Sequence, residues 1–215
     1  LVIGNPIGHS LSPLIHNHWM KKYRLVDSVY EKRKVEEKDL ENIIEKIREG
    51  EIVGVNVTVP FKKLIIPFLD KLDSSAEETQ SVNTLFKISN KVVGYNTDKA
   101  GFLETIKKLY PKNKNSMMPL PLESKSILIL GAGGVTSSII SALKAEGANN
   151  ITLSNRTREK AKEIKKLFPE IEVVDWGKRP SICKIVINTT SVGLTKDEEL
   201  KIDFSDYDKN SHKNF

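Results

Sequence analysis

Ser126-Ile127-Leu128-Ile129-Leu130-Gly131-Ala132-Gly133-Gly134-Val135 is the stretch whose reading decides the fold. An unbroken apolar run passes directly into a glycine cluster, and a helical pattern follows to Glu146. A strand covered on both faces reads as such a run, and glycine lets a chain turn from strand into helix within a few residues. Downstream the signals alternate: a strand at Ile151 to Ser154, a helix to Phe168, and strands near Glu172 to Val174 and at Ile182 to Asn188. Strands joined through helical crossovers pair in parallel with right-handed connections. The spacing predicts a parallel, Rossmann-like sheet over residues 125–215, left incomplete by the polar stretch from Lys201 to Phe215.

Upstream, the chain is also α/β. A strand at Leu1 to Ile3 precedes a helix opening at Ser12-Pro13, and a strand near Val29 to Arg33 precedes a helix from about Glu36 to Glu49. Leu40, Ile43, Ile44 and Ile47 form one apolar stripe on that helix, with Gly50 placed as its C-terminal cap. Val53, Val55, Val57 and Val59 alternate with Gly54, Asn56 and Thr58, the period-two pattern of a strand with one packed face. Pro60 ends that strand and delivers Phe61 and Lys62 to its rim. Val82 to Ile88 and Val92 to Tyr95 read as a hairpin across Ser89-Asn90-Lys91, and Thr97-Asp98 opens a helix to about Tyr110. Three prolines among polar residues mark 111–124 as an exposed connection between a first domain, 1–110, and the second, 125–215.

Composition excludes several classes. A hydrophobic fraction of 39% and a charged fraction of 29% are those of a globular protein, and no apolar run approaches the ~20 residues of a membrane span. The net charge of +6 is spread over lysines interleaved with glutamates, which reads as solvated helix faces and argues against nucleic acid. The single cysteine, Cys183, lies in an apolar run and reads as a buried filler in a reducing, cytoplasmic setting. His9, His16 and His18 have no carboxylate or cysteine cluster beside them, so no metal site is expected. The start at Leu1, inside a strand-like run, suggests that a few preceding residues are missing.

Two candidate sites emerge. Gly131, Ala132, Gly133, Gly134 and Val135 stand where a dinucleotide loop belongs, with backbone N–H groups at a helix N-terminus to meet a pyrophosphate. Thr136 replaces the last glycine of the usual GxGxxG pattern, which predicts looser packing or a variant loop. The second strand ends in Asn155-Arg156-Thr157-Arg158, and no acid stands there to bind a ribose 2′-hydroxyl. Guanidinium forks suit a 2′-phosphate, so the cofactor expected is NADP(H) rather than NAD; the competing reading has Arg156 and Arg158 facing solvent at a helix start. Thr189, Thr190 and Ser191, with Gly193 after them, would line the nicotinamide end.

In the first domain Ser10 and Ser12 gather hydroxyls at a helix start suited to a carboxylate. Ser12 also reads as the N-cap with Pro13 at the first helical position, whereas Ser10 has no capping duty to explain it. Lys62 is open to two readings, a solvated helix lysine or a proton-transfer group, and Asp98 likewise, a helix cap or a partner to Lys62.

Taken together, Gly4 to Pro13, Asn56 to Lys62, Ser81-Val82-Asn83-Thr84, Gly94 to Asp98, Gly131 to Gly134 and Asn155-Arg156-Thr157 resemble the shikimate dehydrogenase family, in one order from Leu1 to about Leu194. The resemblance implies a substrate domain followed by an NADP-binding domain, with the active site in a cleft between them. It implies reversible reduction of 3-dehydroshikimate by NADPH in the pathway to aromatic amino acids. Ser10 and Ser12 would hold the carboxylate, Thr58, Asn83 and Asp98 the ring hydroxyls, and Lys62 with Asp98 would form the catalytic pair. Family members continue past this end through a closing helix that carries a glutamine onto the substrate. The alternatives are a quinate or dual-specificity relative and a non-catalytic NADP-binding module; a monomer or a homodimer, or descent from a fused polypeptide, all fit.

Overall fold

The computed structural model describes residues 1–25, 27–111, 120–193, 199–200 and 202. The chain divides into two compact units, Leu1–Phe102 and Leu103–Phe215, so the division falls inside the helix that follows Thr97. Most of the expected connection, residues 112–119, lies outside the described residues, as does nearly all of 201–215.

The first unit is built on a six-stranded mixed sheet in the order β2-β1-β3-β5-β6-β4. Its strands are β1 (Val2–Gly4), β2 (Lys32–Lys34), β3 (Gly54–Val57), β4 (Lys71–Leu72), β5 (Thr84–Ile88) and β6 (Lys91–Tyr95). Helix α1 (Ser12–Lys22) connects β1 to β2, and α2 (Leu40–Glu49) connects β2 to β3, so β1 pairs in parallel with both strands. The edge strand β2 reads Lys-Arg-Lys and is exposed throughout, which discourages another chain from extending the sheet. Ser89 and Asn90 take positive φ (45° and 67°) in the two-residue loop joining β5 to β6, as a tight hairpin turn requires.

The core lies between this sheet and α2. Leu40, Ile43, Ile44 and Ile47 are all buried against Val55, Val57, Leu85 and Val92, and Gly50 (φ 85°) caps the helix in the left-handed region. Val55 and Val57 point inward as their spacing predicts, but Val53 and Val59 fall outside β3 and are 89% and 60% exposed. The regular strand ends at Val57, although backbone bonds to the β1 segment continue from the Thr58 amide to Ile3 O (3.0 Å) and from the Asn5 amide to Val59 O (2.9 Å).

Asp70 ties β6 to α2. The Val92 amide donates to it at 2.7 Å and the Arg48 guanidinium at 2.8 Å, and these bonds, the amide first, hold its carboxyl below the ordinary value of 3.8. A carboxyl depressed on folding stabilises the native state above its unfolded pKa and loses that contribution as pH falls through the folded value. The stability difference between wild type and Asp70→Asn should therefore be constant above pH 3.8 and shrink below it, as read by urea melts across acid pH.

The second unit carries a four-stranded, wholly parallel sheet in the order β10-β7-β8-β9. In sequence, α3 (Phe61–Leu64) follows β3, α4 (Ser74–Thr79) follows β4 and α5 (Asp98–Leu109) follows β6. The unit itself alternates β7 (Ser126–Leu130), α6 (Thr136–Ala145), β8 (Asn150–Ser154), α7 (Arg158–Leu167), β9 (Glu172–Val174) and β10 (Ile185–Asn188). Every residue of β7 is buried, as its unbroken apolar run predicts for a central strand. Cys183 precedes β10, buried beside Leu128 and Leu130.

Candidate active site

Lys62 enters the site from α3 (Phe61–Leu64), a single turn begun directly after Pro60. Phe61 is buried in the core, which anchors the turn and leaves the next residue directed away from it. Lys62 donates to Asp98 Oδ2 at 2.5 Å, and the two side chains are 12% and 22% exposed. That enclosure argues against a solvated surface lysine.

Asp98 is likewise not the cap of α5. Asn96 takes that duty, its side-chain oxygen accepting from the Lys99 amide at 3.2 Å, which releases both oxygens of Asp98 for other partners. Asn83, nearly buried at the mouth of β5, donates to Asp98 Oδ1 at 2.9 Å. The Thr97 backbone amide donates to Asn83 Oδ1 at 3.0 Å. Lys62, Asn83 and Asp98, dispersed in sequence, thus form one hydrogen-bonded group.

Thr58 follows β3, and Gly4 makes room for it: a Cβ on Gly4 would lie 2.6 Å from Thr58 Cγ2. Ser10 and Ser12 are both at the start of α1, Ser10 half-buried, but their local roles are exchanged relative to expectation. Ser12 is already the first helical residue, so Pro13 is one position further in, and the Ser12 amide donates to Ser10 Oγ at 3.3 Å. Ser10 is the residue that satisfies the helix start. His16 stacks on Tyr30 with ring centroids 4.1 Å apart, and burial holds its pKa below the ordinary imidazole value. No cluster able to hold a metal ion exists among the described residues.

In the second unit Gly131 has φ 104° and donates its amide to Ser154 O at 2.8 Å, which binds the turn to β8. Ala132 donates to Asn155 Oδ1 at 3.1 Å, so the first residue after β8 also shapes the loop. Gly133 is exposed, and a Cβ there would meet nothing nearer than 3.8 Å, leaving its face of the loop open. Thr136 is fully buried, and its hydroxyl donates to Gly131 O at 3.1 Å and lies 2.9 Å from Thr189 Oγ1. The looser packing expected of a threonine at this position does not occur, because the hydroxyl replaces glycine's close approach with hydrogen bonds. Thr189 Oγ1 lies within donating distance of Leu130 O and Gly131 O (2.8 and 3.0 Å), while Thr190 accepts from the Val192 amide and donates to Asn188 Oδ1. Thr157 caps α7 in extended geometry. Beside it, Arg156 is exposed, and Arg158 is paired with Asp175.

The comparisons with known proteins follow this division. Residues 2–85 match the model described as the shikimate dehydrogenase substrate binding domain, and residues 113–191 match that described as shikimate / quinate 5-dehydrogenase. The chain belongs to the shikimate dehydrogenase family. It is 49% identical over 209 residues to shikimate dehydrogenase (NADP(+)) of Pelagibacter ubique strain HTCC1062, covering 97% of this chain and 75% of that one. The crystal structure of shikimate dehydrogenase from Aquifex aeolicus matches with a TM-score of 0.78 at 40% identity, over 92% of this chain and 70% of that one. That of the Thermus thermophilus shikimate 5-dehydrogenase in complex with NADP(H) and shikimate gives 0.72 at 30% identity, over 90% and 68%.

Sequence reasoning did not single out Tyr30, the side chain of Asn56, Thr84 or Thr97, all of which bond into the Lys62 group. Asn56 was visible as the polar member of the alternating run before Thr58. Tyr30 gave no signal, because its partner lies 26 residues away.

Proposed function

We propose that this chain is an NADP-dependent shikimate dehydrogenase that interconverts 3-dehydroshikimate and shikimate, with Lys62 and Asp98 as its catalytic residues. The observation that carries the reading is the Lys62–Asp98–Asn83 group: a nearly enclosed ammonium held by a carboxylate that is itself oriented by an amide. Reduction of a ketone builds negative charge on its oxygen, and an ammonium supplies both the proton and the stabilising charge. Asp98 holds Lys62 and a ring hydroxyl, Asn83 and Thr58 hold the neighbouring hydroxyls, and Ser10 with Ser12 receive the carboxylate.

The residues of the second unit fit NADP. The loop from Gly131 through Ala132, Gly133 and Gly134 to Val135 opens α6, a helix N-terminus suited to the pyrophosphate. Asn155 shapes that loop where an NAD-selective acid would stand, and exposed Arg156 with Thr157 would receive the 2′-phosphate. Arg158 must exchange Asp175 for phosphate to take part. Thr189, Thr190 and Ser191 border the same end of the sheet. When bound, NADPH supplies the hydride.

The reading is tested by following NADP reduction with shikimate, then with quinate, then with NAD in place of NADP. Shikimate-dependent NADP reduction that exceeds both other rates is the expected result. Equal rates with quinate would indicate dual specificity, and cofactor binding without turnover a non-catalytic module. Arg156→Ala should weaken NADP binding by roughly tenfold, the value of one charge-assisted phosphate contact, and leave NAD binding unchanged in a fluorescence titration. The cytoplasm, where a buried free thiol such as Cys183 stays reduced, is the compartment proposed. Among the described residues no helix is long and apolar enough to cross a membrane.

A further inference from the structure

We propose that Tyr30 and Thr84 are positioning residues for the Lys62–Asp98 pair, acting through a one-way chain of hydrogen bonds that starts at the Tyr30 phenol and ends on Asp98. The proposal rests on the catalytic reading of that pair.

The direction of the chain follows from counting hydrogens. The Thr97 backbone amide can only donate, so the Asn83 atom it meets at 3.0 Å is the oxygen, and the Asn83 nitrogen faces Thr97 Oγ1 and Asp98 Oδ1, both at 2.9 Å. Two hydroxyls reach Asn83 Oδ1 as well, Thr84 at 3.1 Å and Thr97 at 3.2 Å. Having given its one hydrogen away, Thr84 accepts from Asn56 Nδ2 at 3.0 Å. The other hydrogen of that amide goes to Asn83 O at 3.2 Å, so Asn56 Oδ1 is left to accept, and the Tyr30 hydroxyl donates to it at 2.6 Å. One donor from each of Tyr30, Asn56, Thr84 and Asn83 therefore runs in the same sense along the chain, ending at Asp98 Oδ1. Lys62 is left with Oδ2.

Tyr30 is built to begin such a chain. The residue is 6% exposed, and its ring stacks on His16 at an interplanar angle of 4°. Its backbone is clamped by Asn17, whose side-chain amide accepts from the Tyr30 N–H at 2.9 Å and donates to its carbonyl at 2.8 Å. Burial pushes the phenol up to about 12, so it remains a donor wherever the enzyme works. Without the phenolic hydrogen the Asn56 oxygen loses its donor, and the amide keeps its present sense through the Asn83 carbonyl alone, at 3.2 Å. With that hold weakened, an Asn56 amide that turned and gave up its bond to Asn83 O would present oxygen to Thr84, drawing the Thr84 hydrogen away from Asn83 Oδ1. The amide that orients Asp98 would then be held on its oxygen by Thr97 alone and would position the carboxylate less firmly.

Tyr30→Phe keeps the stacked ring and removes only the hydroxyl. It should lower kcat by about 5- to 20-fold, the effect of one lost polar contact, and leave KM for shikimate and for NADP within about twofold. Thr84→Val should do the same, and Thr84→Ser, which keeps the hydroxyl, should restore kcat to within about twofold of wild type. Because both variants break one chain, the double variant should be about as slow as the slower single variant, whereas independent structural damage would multiply. A second readout needs no turnover: limited acylation with acetic anhydride, read by mass spectrometry, should label Lys62 about two- to fivefold faster in Tyr30→Phe than in wild type, as expected for a weakened ion pair. Unchanged kcat with unchanged Lys62 labelling, or multiplying effects in the double variant, overturns the proposal. Should wild type fail to oxidise shikimate, the functional reading falls, and the labelling comparison still decides the chain. If circular dichroism shows Tyr30→Phe to be unfolded, the Thr84→Val and Thr84→Ser pair decides alone.

Discussion

Lys62→Ala is expected to lower kcat for 3-dehydroshikimate reduction by about 10²- to 10⁴-fold with substrate and NADPH saturating, the range of a positioned acid–base group. The size follows from the site. Asp98 and Asn83 are acceptor and amide, and neither can deliver a proton to a developing alkoxide in place of an ammonium. NADP affinity should not change, since Lys62 belongs to the first unit and the glycine loop to the second. The variant is expected to fold: with 22% of the Asp98 side chain exposed, water can solvate the carboxylate that Lys62 leaves behind. A loss of only a few-fold in kcat, measured by absorbance of the reduced cofactor, would remove Lys62 from the proton-transfer role.

Gly131→Ala is the second large effect, and it acts on stability and cofactor binding together. At φ 104° an L side chain is strained, and the new Cβ would lie 2.8 Å from Thr189 Oγ1 and 2.9 Å from the Thr189 carbonyl carbon. Neither can retreat, because Thr189 is fixed at the end of β10 by its amide, which donates to Leu130 O at 2.8 Å. Backbone strain and overpacking each cost about 1–3 kcal/mol, so a total of roughly 2–5 kcal/mol is expected in a denaturant melt. A displaced loop also misdirects the amides that would face the pyrophosphate, and NADPH affinity measured by fluorescence should fall by at least about tenfold, the value of one well-placed contact. A melt within about 0.5 kcal/mol of wild type would show that the turn relaxes around the methyl group.

Much of this was legible in the chain because the signals are local. The stripe on α2, the all-apolar β7 and its glycine turn, and the Ser89-Asn90 hairpin each follow from periodicity or from a backbone angle that few residues adopt. Lys62 and Asp98 were singled out through a pattern of motifs, and the structure brings them together. The chain alone left Lys62 and Asp98 each with a second reading, because burial and cap assignment depend on neighbours that sequence does not order. What stayed hidden is of that kind: Asn96 rather than Asp98 capping α5, Asp175 engaging Arg158, Tyr30 reaching Asn56. Val53 and Val59 show the opposite failure, in which an alternating pattern outruns the strand it describes.

The clasp between Thr136 and Thr189 has a consequence for how the protein comes into being. Its partners are 53 residues apart, so the shape of the nucleotide loop is not settled by the turn that encodes it but waits for a strand made much later. Closing so long a loop is slow relative to forming a helix or a hairpin. A chain still emerging from the ribosome, with β7, α6 and β8 complete, would carry every glycine of the motif and lack the hydroxyl that sets them. The bonds to Ser154 and Asn155 are available as soon as β8 is in place, and the last restraint on the loop arrives with β10, after the other described strands of this unit.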